Sequence, residues 1–177
     1  MNVHRDLRHY HIIGYDAYFE EVMPDLQKIV EDTLLDKDDN FLIAINEAVC
    51  NAAKYANDGP ALAPIDIEVV ITPGQDISVS VRSDTQPFNV EMFRDNMRKL
   101  AADDSPWKDR EWCDYTGSTE RSRGYWLMLM SVSYLYIRSD GKEVTLYADI
   151  PFQKEHVTRK ISDIVPRLLL MKNGVIY

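Results

Sequence analysis

The sequence predicts one α/β (α+β) two-layer sandwich with a mostly antiparallel sheet. Its 177 residues, 45% of them hydrophobic and 28% charged, suit a single globular domain. Segments with helical periodicity precede and interrupt segments that alternate apolar and polar residues, and the chain has no internal repeat. Elements in this order are typical of a sheet covered by a layer of helices.

The N-terminal third predicts a short strand, two helices and a loop. Residues 10–13 form the strand, and residues 16–35 repeat apolar side chains at helical spacing. Pro24 falls inside that helix and is expected to kink or split it. The acidic turn DKDDN offers an N-cap for a second helix that ends near Ala56. The Gly and Pro residues of NDGPALAP then make a loop.

The rest of the chain predicts two hairpins and three further helices. Strand patterns occupy 65–71 and 76–82 around the turn TPGQ. A second hairpin is expected around SDGK. The last segment has a helical pattern that ends in the apolar run LLLM, followed by a Gly turn. The remaining expected elements are helices over 90–101, 125–132 and 153–177 and strands over 133–138 and 143–150.

Residues 102–123 are charged and poor in aliphatic side chains. A segment of this composition and length predicts a long loop of the kind that forms functional lids. Trp107 and Trp112 lie in it and fit either a hydrophobic plug or an anchor for a partner.

Charge and cysteine content exclude several functions. The formal net charge of −9 disfavours general duplex binding, which needs a dense basic face. Cys50 and Cys113 form no CxxC pair, so neither a zinc site nor a disulfide framework is expected. The N-terminal sequence has no signal-peptide apolar run, and no long apolar stretch occurs elsewhere. We expect a cytoplasmic protein that contacts neither nucleic acid nor membrane directly.

The segment NEAVCNAAKYA, residues 46–56, carries a polar stripe along the second helix. At about 100° per residue, its apolar side chains fall on one side and its long polar ones on the other. A solvated face is one interpretation, and a ligand site is the alternative. The Asn51 carboxamide suits Mg²⁺, Glu47 can act as a base towards an attacking hydroxyl, and Lys54 can neutralise phosphate.

Four stretches in order resemble the motifs of the GHKL (histidine-kinase-like) ATPases, and most closely the bacterial anti-sigma-factor serine kinases. The pattern E-A-x-x-N-A-x-K-Y-A at 47–56 is similar to their N box. VRSDTQPFNV, at 81–90, resembles their adenine-binding strand and loop. RSRGYWLMLMSVSYLYI, at 121–137, resembles the end of their lid, and GKEVTLYADIP, at 141–151, resembles their closing strand.

This resemblance implies a Bergerat-type ATP-binding fold, with helices on one face of a mixed, mostly antiparallel sheet. The ATPase domain would comprise residues 1–151. Residues 152–177 lie outside the family pattern and would form a helical extension packed on the same domain through LLLM.

The resemblance also implies a role for each matching residue. Glu47 would be the catalytic base and Asn51 the Mg²⁺ ligand. Lys54 and Tyr55 would contact the phosphates, and Thr145 would stand under the adenine.

Two of the motifs differ from the family pattern. Ser83 occupies the position of the adenine-binding Asp, and Asp84 follows one residue late, where only a strand bulge would bring it to the same face. Gly124 is the one glycine kept from the G-G-x-G lid motif, and Arg121 and Arg123 are expected to contact phosphate instead.

Three functional hypotheses remain at this point. The first is an ATP- and Mg²⁺-dependent serine kinase that acts on an anti-sigma antagonist and also binds a sigma factor. The second is a catalytically inactive module of the same fold that binds protein partners and little or no nucleotide. The third is an unrelated α+β domain. For the first two, the resemblance implies a homodimer formed through the first strand and helix.

Overall fold

A computed structural model describes residues 5–34, 39–117, 120–152 and 160–177, apart from the side chains of 113, 115–117 and 120–122. Within these ranges the protein is an α+β structure with a mixed seven-stranded sheet, as the sequence predicts. None of the helices in the described part is both long and apolar enough to cross a membrane.

The strands of the sheet are β1 (Asp6–Ile13), β2 (Pro64–Thr72), β3 (Asp76–Ser83), β4 (Tyr134–Arg138), β5 (Glu143–Asp149), β6 (Leu168–Lys172) and β7 (Val175–Ile176). Their spatial order is β1-β2-β3-β5-β4-β6-β7. Neighbouring strands pair antiparallel except β4 and β6, which run parallel. The result is the mostly antiparallel mixed sheet that was expected.

The helices are α1 (Tyr15–Ala17), α2 (Met23–Leu34), α3 (Asn40–Lys54), α4 (Val90–Ala102), α5 (Lys108–Gly117), α6 (Glu120–Met130) and α7 (Ile161–Ile164). A π-helical turn, Tyr18–Val22, joins α1 to α2, and a 3₁₀ turn, Val165–Arg167, follows α7. Pro24 is the second residue of α2, where its missing N–H interrupts little of the helix. The helix that the sequence predicts over 16–35 is therefore divided just before Pro24, by this π turn.

One face of the sheet forms the core with the helices. Strand residues alternate between buried and more exposed positions, as in Ile65, Ile67 and Val69 of β2 and Ile77 and Val79 of β3, all fully buried. Period-two alternation places these side chains on one face. Burial of each of these aliphatic side chains stabilises the fold by about 1.5–3 kcal/mol. The sheet thus gains its stability mainly on the helix side.

The expected long loop over 102–123 is wrong, because α5 and α6 occupy most of it. Trp112 explains the difference. Its side chain is fully buried and packs on Phe93 of α4, with ring centroids 6.0 Å apart. One large aromatic anchors a helix whose other side chains are mostly charged, so few aliphatic residues are needed. Trp107, just before α5, is 64% exposed.

The expected helix over 153–177 is also wrong, and residues 153–159 lie outside the described part of the chain. In the described part of this segment, which starts at residue 160, a helical turn, α7, and a 3₁₀ turn precede β6, which carries LLLM and pairs with β4. Leu168 and Leu170 point into the core while Leu169 is half-buried on the other face. A short apolar run does not distinguish a buried helix from a strand by periodicity.

The start of α3 differs in detail from the expected capped turn. Asp39 precedes the helix with φ 53°, in the left-handed region, and its side chain makes no capping hydrogen bond. The other acidic residues of DKDDN, 36 and 38, lie outside the described ranges. The helix ends at Lys54, two residues before the expected end.

Candidate functional site

Helix α3 lies between the sheet and α6, and this position determines the surroundings of its polar stripe. Its buried residues include Ile45 and Val49 on the sheet side and Ala44 and Ala48 flanking the stripe. Glu47 and Asn51 are half-buried beneath α6, whereas Lys54 is exposed at the end of the helix. The simple solvated stripe is therefore not what the structure shows.

Gly124 is the point of closest approach between α6 and α3. A Cβ atom at Gly124 would lie 2.7 Å from Nδ2 of Asn51, and 3.2 Å from both Oδ1 of Asn51 and Oε2 of Glu47. Real Cβ atoms do not approach a heavy atom as closely as the first distance. The backbone of α6 thus lies directly against the Asn51 carboxamide, and a side chain at position 124 would force the ends of Asn51 and Glu47 to move.

The Asn51 carboxamide is covered by this contact. Its Nδ2 atom is buried and has no hydrogen-bond partner among the described residues. A buried amide without a partner costs about 1–3 kcal/mol, and such groups occur at strained or functional sites. The atom that this contact leaves buried and without a partner is thus the amide nitrogen, and not the Oδ1 atom that would bind Mg²⁺.

Glu47 is a carboxyl group with two electrostatic influences. Burial raises its pKa, and the nearby guanidinium of Arg123 acts in the opposite direction with a smaller effect. Arg123 itself is exposed on α6. A half-buried carboxyl with a raised pKa is suited to accepting a proton, which is the chemistry expected of a general base.

Two tyrosines from the start of the helical layer adjoin α3. Tyr15 lies beside Cys50 and Glu47, and its pKa is raised to about 12, first by burial and then by these two groups. The hydroxyl of Tyr18, which is fully buried in the π turn, donates a hydrogen bond to Oδ1 of Asn46. Neither tyrosine was singled out from the sequence, where both read as ordinary residues of a helix start.

A small cavity lies where the resemblance would place an adenine base. Its volume is about 20 Å³, which holds about one water molecule. Pockets for small ligands commonly measure about 300–1,000 Å³. The cavity is lined by Ala48, Asn51, Ala52, Val81, Thr85, Tyr125, Gly141, Lys142 and Val144.

Aromatic side chains fill the rest of this space. Tyr125 is 1% exposed and stacks on Phe88, with ring centroids 5.0 Å apart and an interplanar angle of 14°. Phe93 lies 5.6 Å from Tyr125 and 6.0 Å from Trp112, measured between ring centroids. We call these four residues the aromatic plug. They connect α4, α5 and α6 to the loop after β3. The sequence offered Trp112 as part of a hydrophobic plug, but it did not identify the three aromatic residues that pack with it.

The end of β3 keeps its regular alternation, without a bulge. Ser83 is buried, and its Oγ has no hydrogen-bond partner among the described residues. Asp84 is exposed and accepts hydrogen bonds from Lys142 and from Nδ2 of Asn57, the latter at 3.1 Å. These two bonds, Lys142 first, lower the pKa of Asp84. The Asp84 carboxylate is therefore bonded to Lys142 and Asn57, and Asp84 does not line the cavity that Thr85 lines.

Thr145 lies on the opposite face of the sheet from the cavity. Its hydroxyl is 2.8 Å from that of Ser80, and both residues alternate with the buried residues of their strands. The adjacent Val144 lines the cavity instead. The structure therefore places Thr145 on the open face and not at the cavity, because a shift of one residue along a strand reverses the face.

The remaining expected residues are divided between the surface and the undescribed side chains. Tyr55 is half-buried after α3, and its carbonyl accepts a hydrogen bond from the Gln86 backbone N–H at 2.7 Å. Arg121 belongs to α6, and its side chain is outside the described part. The structure thus brings Glu47, Asn51 and Gly124 together, as the motif order implies.

The arrangement was tested against Mg²⁺-ATP, the group that the resemblance implies. Asn51 is covered by α6, the adenine position offers about 20 Å³, and Asp84 is held on the surface. In this conformation the residues do not fit the nucleotide.

Comparison with models of known protein families finds no match for the chain, and comparison with curated proteins finds none either.

Proposed function

We propose that this chain is a partner-binding regulatory protein on a histidine-kinase-like fold, in which the nucleotide site is closed and ATP is not turned over. The observation that carries the proposal is the contact of α6 with Asn51, in which Gly124 is so close that a methyl group there would displace the carboxamide. The aromatic plug supports it, since Tyr125 occupies the space that a base would need.

The chemistry of the altered motifs agrees with this proposal. A carboxylate that reads the adenine amino group would supply a charge-assisted hydrogen bond, and Ser83 cannot replace that charge. The Asp84 carboxylate already accepts hydrogen bonds from Lys142 and Asn57. The protein class suggested by the resemblance regulates transcription by binding a sigma factor or an anti-sigma antagonist, and this remains the proposed kind of partner.

A second candidate is the ATP- and Mg²⁺-dependent serine kinase. The proximity of Glu47 and Asn51 and the raised pKa of Glu47 favour it. When bound, Mg²⁺ would neutralise charge on the transferred phosphoryl group, and Asn51 would be its protein ligand. This activity requires α6 to leave Asn51 and Tyr125 to leave the cavity, which would disrupt the aromatic plug.

Calorimetric titration distinguishes the two candidates. Wild-type protein is titrated with ATP and ADP at millimolar concentration, with and without Mg²⁺, beside Asn51→Ala. The closed-site proposal predicts no saturable heat with either protein. Saturable, Mg²⁺-dependent binding to the wild type that Asn51→Ala abolishes would contradict it and support the kinase.

A further inference from the structure

The open face of the sheet, opposite the helices, carries a cluster of three tyrosines. Tyr134 and Tyr136 of β4 and Tyr147 of β5 have ring centroids 6.0–6.5 Å apart in each pair. The ring planes of Tyr136 and Tyr147 meet at 81°, and the other two pairs meet at 45° and 55°. Tyr134 is 40% exposed. We call these residues the tyrosine cluster.

Two carboxylates adjoin the tyrosine cluster. Asp76 and Asp149 are directly opposite each other in the β3–β5 ladder, and Asp149 is two residues beyond Tyr147 on the same face. The pKa of Tyr147 is raised to about 12, first by burial and then by the neighbouring carboxylates of Asp76 and Asp149. Among the described residues no Lys or Arg forms an ion pair with either carboxylate.

This juxtaposition is unfavourable without a third group. Like charges directly opposite each other in a ladder destabilise the sheet. Violations of such local rules occur mainly at functional sites. Another carboxylate on the same face does have cationic partners: Glu143 forms ion pairs with Arg82 at 3.2 Å and with Arg138 at 2.9 Å. At Asp76 and Asp149 the compensating cation is missing from the described chain.

We propose that the tyrosine cluster, together with Asp76 and Asp149, binds an arginine or lysine side chain of a basic segment in a partner protein. Faces of aromatic rings attract organic cations, and the half-buried carboxylates beside them add charged acceptors. Leu169 of β6 lies opposite Tyr136 and is half-buried, so it offers apolar surface for the aliphatic stem of the same side chain.

The charge of the surface selects this occupant over the alternatives. Nucleic acid can stack bases on aromatic platforms, but its phosphates would meet two carboxylates here. A basic protein segment has the opposite charge, which also agrees with the net charge of −9. The inference concerns the face away from α3 and does not depend on whether the nucleotide site is closed.

The test measures the affinity of a fluorescent oligo-arginine peptide by anisotropy at physiological ionic strength. An oligo-citrulline peptide of equal length is the uncharged control. We expect saturable binding of the arginine peptide and none of the citrulline peptide. Tyr134→Leu should weaken binding about two- to fivefold, and Tyr134→Phe, which keeps the ring, should weaken it less.

Two matched variants separate this site from general attraction to an acidic protein. Asp149→Asn and Asp104→Asn remove the same charge, but Asp104 is exposed in the loop before α5. Only Asp149→Asn should weaken binding, about two- to fivefold. Tyr177→Leu, at an exposed tyrosine beside Arg94, should leave the affinity unchanged.

Several results would overturn the inference. Equal binding of the citrulline peptide would show that charge is not recognised, and equal effects of the two Asp→Asn variants would show non-specific attraction. Unchanged binding by Tyr134→Leu would remove the tyrosines from the site. A homodimer in sedimentation that Tyr134→Leu dissociates would assign this face to a second copy of the chain.

Discussion

The two faces of the sheet differ in how accessible their polar groups are. On the helix side, Nδ2 of Asn51 and Oγ of Ser83 are buried without hydrogen-bond partners among the described residues. On the open face, Asp76 and Asp149 are half-buried beside Tyr147, and Tyr134 of the same cluster is 40% exposed. The face whose residues match catalytic motifs is the closed one, and the face without a motif is accessible.

This contrast shows that a motif establishes residue types and spacing, but not access. Glu47 and Asn51 are at the spacing expected of the N box, yet one glycine contact covers both. The open face has no sequence pattern beyond strand alternation, and its site arises from cross-strand neighbours far apart in sequence.

The largest expected effect tests whether α5 belongs to the core. Trp112→Ala should lower the free energy of unfolding by about 3–5 kcal/mol, because it removes a fully buried aromatic from the plug. In thermal denaturation this corresponds to a fall in Tm of roughly 6–20 °C. Trp107→Ala, at the exposed tryptophan before the same helix, is the control and should change Tm little. Similar small effects of both variants would mean that α5 is a loose lid.

The next effect tests the contact between α6 and α3. Gly124→Ala should destabilise the protein by about 1–3 kcal/mol, because the new methyl group meets Asn51. In an Asn51→Ala background the same change should become neutral, or stabilise by up to about 1 kcal/mol through better helix propensity. Chemical denaturation of the four proteins gives the coupling free energy, expected at roughly 1–3 kcal/mol. Additive effects would show that the two residues do not touch.

A pH-dependent effect is expected at Glu47. Burial raises the folded-state pKa of Glu47 above its ordinary value of 4.5. Its contribution to stability is therefore fully present below that value and is lost as pH rises through the folded-state pKa. Glu47→Gln should raise Tm relative to wild type at about pH 7, and the gain should disappear near pH 4. Glu20→Gln, at an exposed position, is the control. A Tm difference independent of pH would contradict burial of the carboxyl.

The smallest effect tests the orientation of β5. Thr145→Val should cost no more than about 1 kcal/mol, because it removes only the hydroxyl contact with Ser80 on the open face. The reciprocal change at the neighbouring position, Val144→Thr, should cost about 1–3 kcal/mol, since it places a hydroxyl in the buried layer. Denaturation that ranks the two variants in reverse would place Thr145 on the helix side.

The elements with strong periodicity were predictable within a residue or two. The expected strands 65–71 and 76–82 and helix 90–101 correspond to β2, β3 and α4. Helix α5 was not predictable, because a single buried residue, Trp112, takes the place of an apolar stripe with helical spacing. Strand β6 was not predictable either, because a short run of leucines fits a buried helix as well as a strand.

The candidate site was predictable as far as local spacing determines it. Glu47 and Asn51 share a helix face through their spacing of four residues, and the resemblance assigned Gly124 to the same nucleotide site, although not to a contact with Asn51. The face of Thr145 depends on strand register, and the insertion of Tyr125 depends on how α6 packs. Both are tertiary properties without a signature in the local sequence.

Hydrogen exchange with mass spectrometry tests the central claim, closure of the pocket by α6, most directly. Free protein and protein with millimolar Mg²⁺-ATP are compared for segments spanning α3, α5 and α6. The closed-site account predicts that α5 and α6 exchange as slowly as α3 and that nucleotide changes nothing. Fast exchange of α5 and α6 in the free protein, slowed when Mg²⁺-ATP is added, would contradict it.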